Sequence, residues 1–111
     1  MDNLIYKLRK FAKDRDWDQF HSPKNLAMAL SVEVAELVEH FQWLTEEQSY
    51  IKDPDKLEEI KQEVGDILIY LVRLSDKLGI DPLIAANEKV KINNKKQIRS
   101  LNLITRRNVL Q

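Results

Sequence analysis

Apolar residues recur at helical spacing in four stretches of the chain, and no stretch alternates apolar and polar residues as a half-buried strand would. Leu4, Ile5, Leu8, Phe11 and Ala12 predict an amphipathic helix from Asn3 to about Lys13. Leu26, Leu30, Val34, Leu37, Phe41 and Leu44 form the arc of a second helix. Ser22-Pro23 opens it, the hydroxyl capping free N–H groups and the proline standing where a missing N–H costs nothing, and its pattern runs to about Trp43. Thr45 to Gln48 reads as a capping box that opens a short turn. Pro54 then starts a third helix, with Leu57, Ile60, Val64, Ile67, Leu71, Leu74 and Leu78 on one arc, and Gly79 stops it. Asp81-Pro82 caps a last helix expected to reach about Asn93, carrying Leu83, Ile84, Val90 and Ile92. The fold class is therefore all-α, a bundle of about four helices. We take residues 1–96 as the domain, with 97–111 a tail of weak periodicity, poorly ordered or docking on a neighbouring subunit.

Composition narrows the classes of function. A chain of 111 residues with 43% hydrophobic and 32% charged residues is expected to be one soluble domain with a modest core. Lys plus Arg equals Asp plus Glu at 18 each, so a general affinity for nucleic acid has no electrostatic support. The absence of cysteine removes disulfides and thiolate metal sites. No apolar run approaches the roughly 20 residues of a membrane span, and the cytoplasm is the expected location.

Two acidic motifs change that picture. At about 100° per residue, Glu33 and Glu36 share a face with Ala29 and His40 at the edge of the second helix's apolar arc. Glu59, Glu63, Asp66 and Tyr70 form the matching stripe on the third helix. Packing the two arcs together brings the stripes face to face, and close carboxylates repel unless a cation neutralises them. A solvated acidic face ordinarily mixes signs through Glu/Lys pairs, yet no Lys or Arg occurs between Leu26 and Tyr50, while Lys61 and Arg73 project away from the stripe. An all-oxygen ligand set suits Mg²⁺ or Mn²⁺. A di-iron centre in a bundle also uses Glu-x-x-His motifs, and His40 stands four residues after Glu36, off that spacing.

Other features carry weaker signals. The connection from Arg15 to His21 holds Trp17, Phe20 and His21, which either pack under the helices or line a pocket for a flat ligand. Met28, Val32 and Trp43 leave apolar surface off the main arc of the second helix, for which a second subunit is the expected cover. Lys89, Lys91, Lys95 and Lys96 end the last helix, either solvated there or reaching phosphates. With only two glycines, a phosphate-cradling or dinucleotide-binding loop is excluded.

Taken together, RDWDQFHSPKNLAMALSVEVAELVEHFQW, then EEIKQEVGDILIYLVRLSDKLGID and NEKVKINNKK, resemble the MazG-like nucleotide pyrophosphohydrolases, most closely their small dCTP pyrophosphatase branch. The likeness spans about residues 4–96. It implies an all-α enzyme, a dimer or a tetramer built as a dimer of dimers, that hydrolyses a nucleoside triphosphate to the monophosphate and pyrophosphate. It further implies that Glu33, Glu36, Glu63 and Asp66 hold Mg²⁺, that Trp17, His21, Trp43 and Tyr70 contact the nucleotide, and that Lys89 and Asn93 reach its phosphates or sugar. Relatives commonly continue the basic run into a Tyr-Pro turn, where this chain reads KKQIRSLN. Dimeric dUTPases and phosphoribosyl-ATP pyrophosphohydrolases share the all-α scheme. A non-catalytic helical module whose acidic stripe meets a basic partner is the rival from another class.

Overall fold

The computed structural model describes the backbone of residues 1–110 and the side chains of residues 1–97 and 99. Its elements are α1 (Asp2–Asp14), a single 3₁₀ turn (Trp17–Gln19), α2 (Pro23–Glu39), α3 (Pro54–Lys77) and α4 (Pro82–Leu110), with no strand among the described residues. The fold is all-α.

The helix starts follow their capping chemistry. Ser22 Oγ accepts from the Asn25 N–H at 3.1 Å, Asp53 Oδ2 from the Lys56 N–H at 3.1 Å, and Asp81 Oδ1 from the N–H groups of Leu83 and Ile84 at 2.9 and 3.2 Å. Thr45 and Gln48 exchange the reciprocal bonds of a capping box, which closes one turn between α2 and α3. Gly79 ends α3 at φ +68°, where a side chain would be strained.

Two boundaries differ from the sequence expectation. The second helix ends at Glu39 and not near Trp43. Beyond it the N–H groups of His40, Phe41 and Leu44 bond three residues back, so the chain leaves the helix through successive tight turns. The last helix does not stop near Asn93 but continues to Leu110. Both glycines and all three prolines lie at or before Pro82, and nothing after it breaks a helix. The expected docking of residues 97–111 on a neighbour falls, apart from Gln97 and Arg99, on side chains outside those described.

The chain divides into two units, Met1–Ile80 and Asp81–Gln111. Within the first, α2 packs along α3, and α1 also lies on α3. His40 faces Glu63 while Glu33 meets the charge of Asp66, so α2 and α3 run in opposite directions. Ala12, Leu26 and Val72 form the fully buried apolar core, one from each helix. Arg9 ties α1 to α3 through a two-point contact with Asp76, Nε to Oδ2 at 2.8 Å. The second unit is α4 itself. Among the described residues, no helix is long and apolar enough to cross a membrane.

Candidate active site

The opposed packing of α2 and α3 brings the two acidic stripes together. Glu33 and Glu36 from α2 and Glu63 from α3 each offer a carboxylate oxygen, and all three oxygens lie within 4.8 Å of one another. Glu33 and Glu63 are half-buried, and each keeps an Oε2 shielded from solvent without a hydrogen-bond partner. Glu36 is exposed, which leaves the cluster open on one side.

The electrostatics follow from that crowding. Burial pushes the Glu33 carboxyl above its ordinary value, and the charges of Glu36, Asp66 and Glu63 push it the same way. Burial also raises Glu63, with Glu36 adding to the effect and His40 opposing it. Orphaned acceptors gathered at one point, each disfavouring its own negative charge, are what a bound cation would satisfy. Three hard oxygens with room for water beside them fit a small divalent ion. Asp66 stands one turn beyond Glu63, near enough for its charge to reach Glu33 but outside the three-oxygen cluster.

The aromatic residues fall at opposite ends of α2. Trp43 helps line a cavity of about 670 Å³ with His40, Leu44, Gln48, Tyr50 and Lys52, between the end of α2 and the start of α3. This volume is in the range of small-ligand sites. His40 belongs both to that wall and to the carboxylates, its Nε2 lying 3.8 Å from Glu63 Oε1. Trp17 and His21 stand before α2, their rings 5.4 Å apart, with Phe11 edge-on to Trp17 at 4.9 Å. The 17 residues of α2 between them and His40 span about 25 Å at the ordinary helical rise. One chain therefore does not gather Trp17, His21 and Trp43 around a single point. Tyr70 is half-buried on α3, one turn past Asp66, and Lys89 and Asn93 are exposed on α4, in the second unit.

Burial and the nearby Arg73 guanidinium push the His21 imidazole below the usual histidine range, so it is neutral at physiological pH. Arg73, which the sequence directs away from the acidic stripe, is buried and donates to Asp18 Oδ1 at 2.8 Å, an oxygen that also accepts from Lys77 Nζ at 2.9 Å. Sequence reasoning missed two features. His40 carried a signal, since it shares the face of Glu33 and Glu36. The Asp18–Arg73–Lys77 group carried none, because Asp18 lies 55 and 59 residues from its two donors.

Comparison with known proteins gives the family and the fold. The model of the MazG-like family matches residues 28–103. Human dCTP pyrophosphatase 1 is 40% identical over 89 residues, which cover 78% of this chain and 52% of that protein. Its bovine counterpart is 45% identical over 74 residues, covering 65% of this chain and 44% of that protein. The chain thus spans about half the length of these relatives. A crystal structure of a pyrophosphatase from Archaeoglobus fulgidus superimposes with a TM-score of 0.77 at 40% identity, covering 86% of this chain and 90% of that one. By sequence over most of its length, and by the paired acidic motifs on its two packed helices, the chain belongs to the MazG-like family.

Proposed function

We propose that the protein is a nucleoside triphosphate pyrophosphohydrolase that cleaves a dCTP-like substrate between its α and β phosphates, releasing the monophosphate and pyrophosphate. The observation that carries this reading is the carboxylate cluster, three oxygens within 4.8 Å of one another on facing helices, with a buried, unpartnered oxygen on two of the three glutamates. The relatives named dCTP pyrophosphatase 1 support the substrate class.

In this reading Glu33, Glu36 and Glu63 hold Mg²⁺ or Mn²⁺, with Asp66 as the fourth carboxylate. The ion, when bound, offsets phosphate charge and lowers the pKa of a coordinated water. The carboxylates fix the register of the phosphates against the seam of α2 and α3, and a glutamate oxygen not engaged by metal takes the proton of the attacking water. Most of the rate comes from positioning and electrostatic stabilisation, as in other phosphoryl transfers. Trp17, His21, Trp43 and Tyr70 contact the nucleotide. Because Trp17 and His21 stand far from Trp43 along α2, a second copy of the chain supplies one of the two groups, and the working form is a dimer or tetramer. The role of Lys89 and Asn93 toward phosphate or sugar rests on the sequence resemblance alone. Nucleoside triphosphates as substrate imply the cytoplasm, and neither nucleic acid nor membrane enters the scheme.

A docking surface for a basic protein would keep its carboxylates in solvent, whereas Glu33 and Glu63 each hide an oxygen from it. The test is pyrophosphate release from the common and modified dNTPs across a magnesium titration. Release that needs magnesium and is fastest with a deoxycytidine nucleotide supports the reading. No release from any of them overturns it.

A further inference from the structure

We propose that Asp18 is a positioning residue for nucleotide binding, a strap that fixes the Trp17–His21 segment against α3. The inference rests on the reading above, in which Trp17 and His21 contact the nucleotide.

The segment between α1 and α2 packs on α1 through the edge-on contact of Trp17 with Phe11, but no hydrogen bond besides those of Asp18 ties it to another helix among the described residues. Its other hydrogen bonds are local: Gln19 Nε2 donates to Asp16 Oδ2, the Phe20 and His21 N–H groups bond back to Trp17 and Asp18 carbonyls, and Asn25 Nδ2 donates to the Phe20 carbonyl. Among the described residues, Asp18 makes its one hydrogen-bonded tie to α3. That tie is built with unusual partners. The Arg73 side chain is only 5% exposed, and a buried guanidinium is costly unless it is paired. Asp18 is the acceptor it has, and its Nε remains unpartnered. Lys77, one turn further along α3, converges on the same Asp18 oxygen.

The placement of the strap gives it a purpose. Asp18 follows Trp17 directly, and His21 comes three residues later, its ring 5.4 Å from the indole. Fixing Asp18 on α3 therefore fixes both rings. The hydrogen bonds of Lys77 and then Arg73 also hold the Asp18 carboxyl below its ordinary value, so the strap stays charged through the physiological range. The carboxylate cluster depends on α2 and α3, which pack on each other without this segment. Loosening the strap should thus weaken binding and spare the chemical step.

The experiment uses the full chain with Asp18→Asn and Lys77→Met. Asp18 is half-exposed, so the substitution disturbs little packing. For dCTP hydrolysis, Asp18→Asn should raise KM by about tenfold, a step the size of a lost stacking contact, with kcat within about twofold and the magnesium dependence unchanged. Lys77→Met, which removes one of two arms, should give a smaller rise. In a Trp17→Ala background Asp18→Asn should add almost nothing, since the ring it positions is gone. An unchanged KM, a fall in kcat of the same size, or full additivity with Trp17→Ala overturns the proposal. A second readout is independent of activity. In Trp43→Phe, Trp17 is the sole indole, and Asp18→Asn should make it markedly more accessible to acrylamide quenching. Unaltered quenching overturns the strap even if dCTP is not a substrate, whereas hydrolysis of no dNTP by the wild type overturns the functional reading alone.

Discussion

His40 Nε2 lies 3.8 Å from Glu63 Oε1 across the seam of α2 and α3, and so joins the wall of the cavity to the carboxylate cluster. Its effect on Glu63 favours the ionised carboxylate, the form that binds a cation. Replacing His40 with Ala should raise the magnesium concentration for half-maximal activity by about tenfold, the lower end for groups that support metal ligands. An unchanged magnesium dependence would make His40 part of the cavity wall only.

Removing charge from the cluster itself should cost far more. Glu63→Gln and Asp66→Asn keep volume and helix face, and each should lower activity at least about a hundredfold, an electrostatic loss of roughly 2.7 kcal/mol or more. Glu58→Gln is the control, because Glu58 is exposed and its ion pair among the described residues is with Lys61, at 3.8 Å. Wild-type rates from the Glu63 and Asp66 variants would sink both the metal site and the proposed reaction.

The raised carboxyls of Glu33 and Glu63 set a sign for stability. Where the native pKa is above the unfolded one, the folded chain keeps protons that the unfolded chain has released, so this contribution to stability falls as pH rises through the raised values. Without metal, Glu33→Gln should therefore melt increasingly above the wild type as pH rises above the ordinary carboxylate range. Saturating magnesium should reverse the order, because the cation stabilises the ionised wild-type cluster. Parallel melting curves for the two proteins at all pH values would contradict the crowding seen between α2 and α3.

Trp43 is 87% exposed at the mouth of the cavity, ready to stack on a flat ring. Trp43→Ala should raise KM for the best dNTP more than it lowers kcat, by the roughly 1–3 kcal/mol of one stacked base. Unchanged kinetics for the Trp17, His21, Trp43 and Tyr70 alanine variants would return all four residues to packing roles.

On α2, Met28, Val32 and Val38 are at least half exposed, an apolar surface that calls for a partner. Light scattering at micromolar concentration should give a dimer or tetramer, and Val32→Glu should shift it toward the monomer. A monomeric wild type would end the proposal that a second copy completes the site.

Much of this molecule is written locally. Capping by Ser22, Asp53 and Asp81, the prolines that follow them, and the stop at Gly79 are interactions within four residues, so sequence alone placed the starts of α2, α3 and α4 and the end of α3. Helical periodicity likewise put Glu33, Glu36, Glu63 and Asp66 on two stripes at the edges of the packed apolar arcs, because the angle per residue is a property of the backbone. Boundaries without a breaker were less legible: α2 tightens gradually after Glu39, and α4 runs past Asn93 because nothing stops it. Only the tertiary structure decided which oxygens meet, separating the three-carboxylate cluster from Asp66 and adding His40 beside it. It alone paired Asp18 with Arg73 and Lys77, and it set Trp43 at the far end of α2 from Trp17 and His21. Contacts between residues more than fifty positions apart depend on how helices dock, and that docking is a sum of many small packing terms that no short motif encodes.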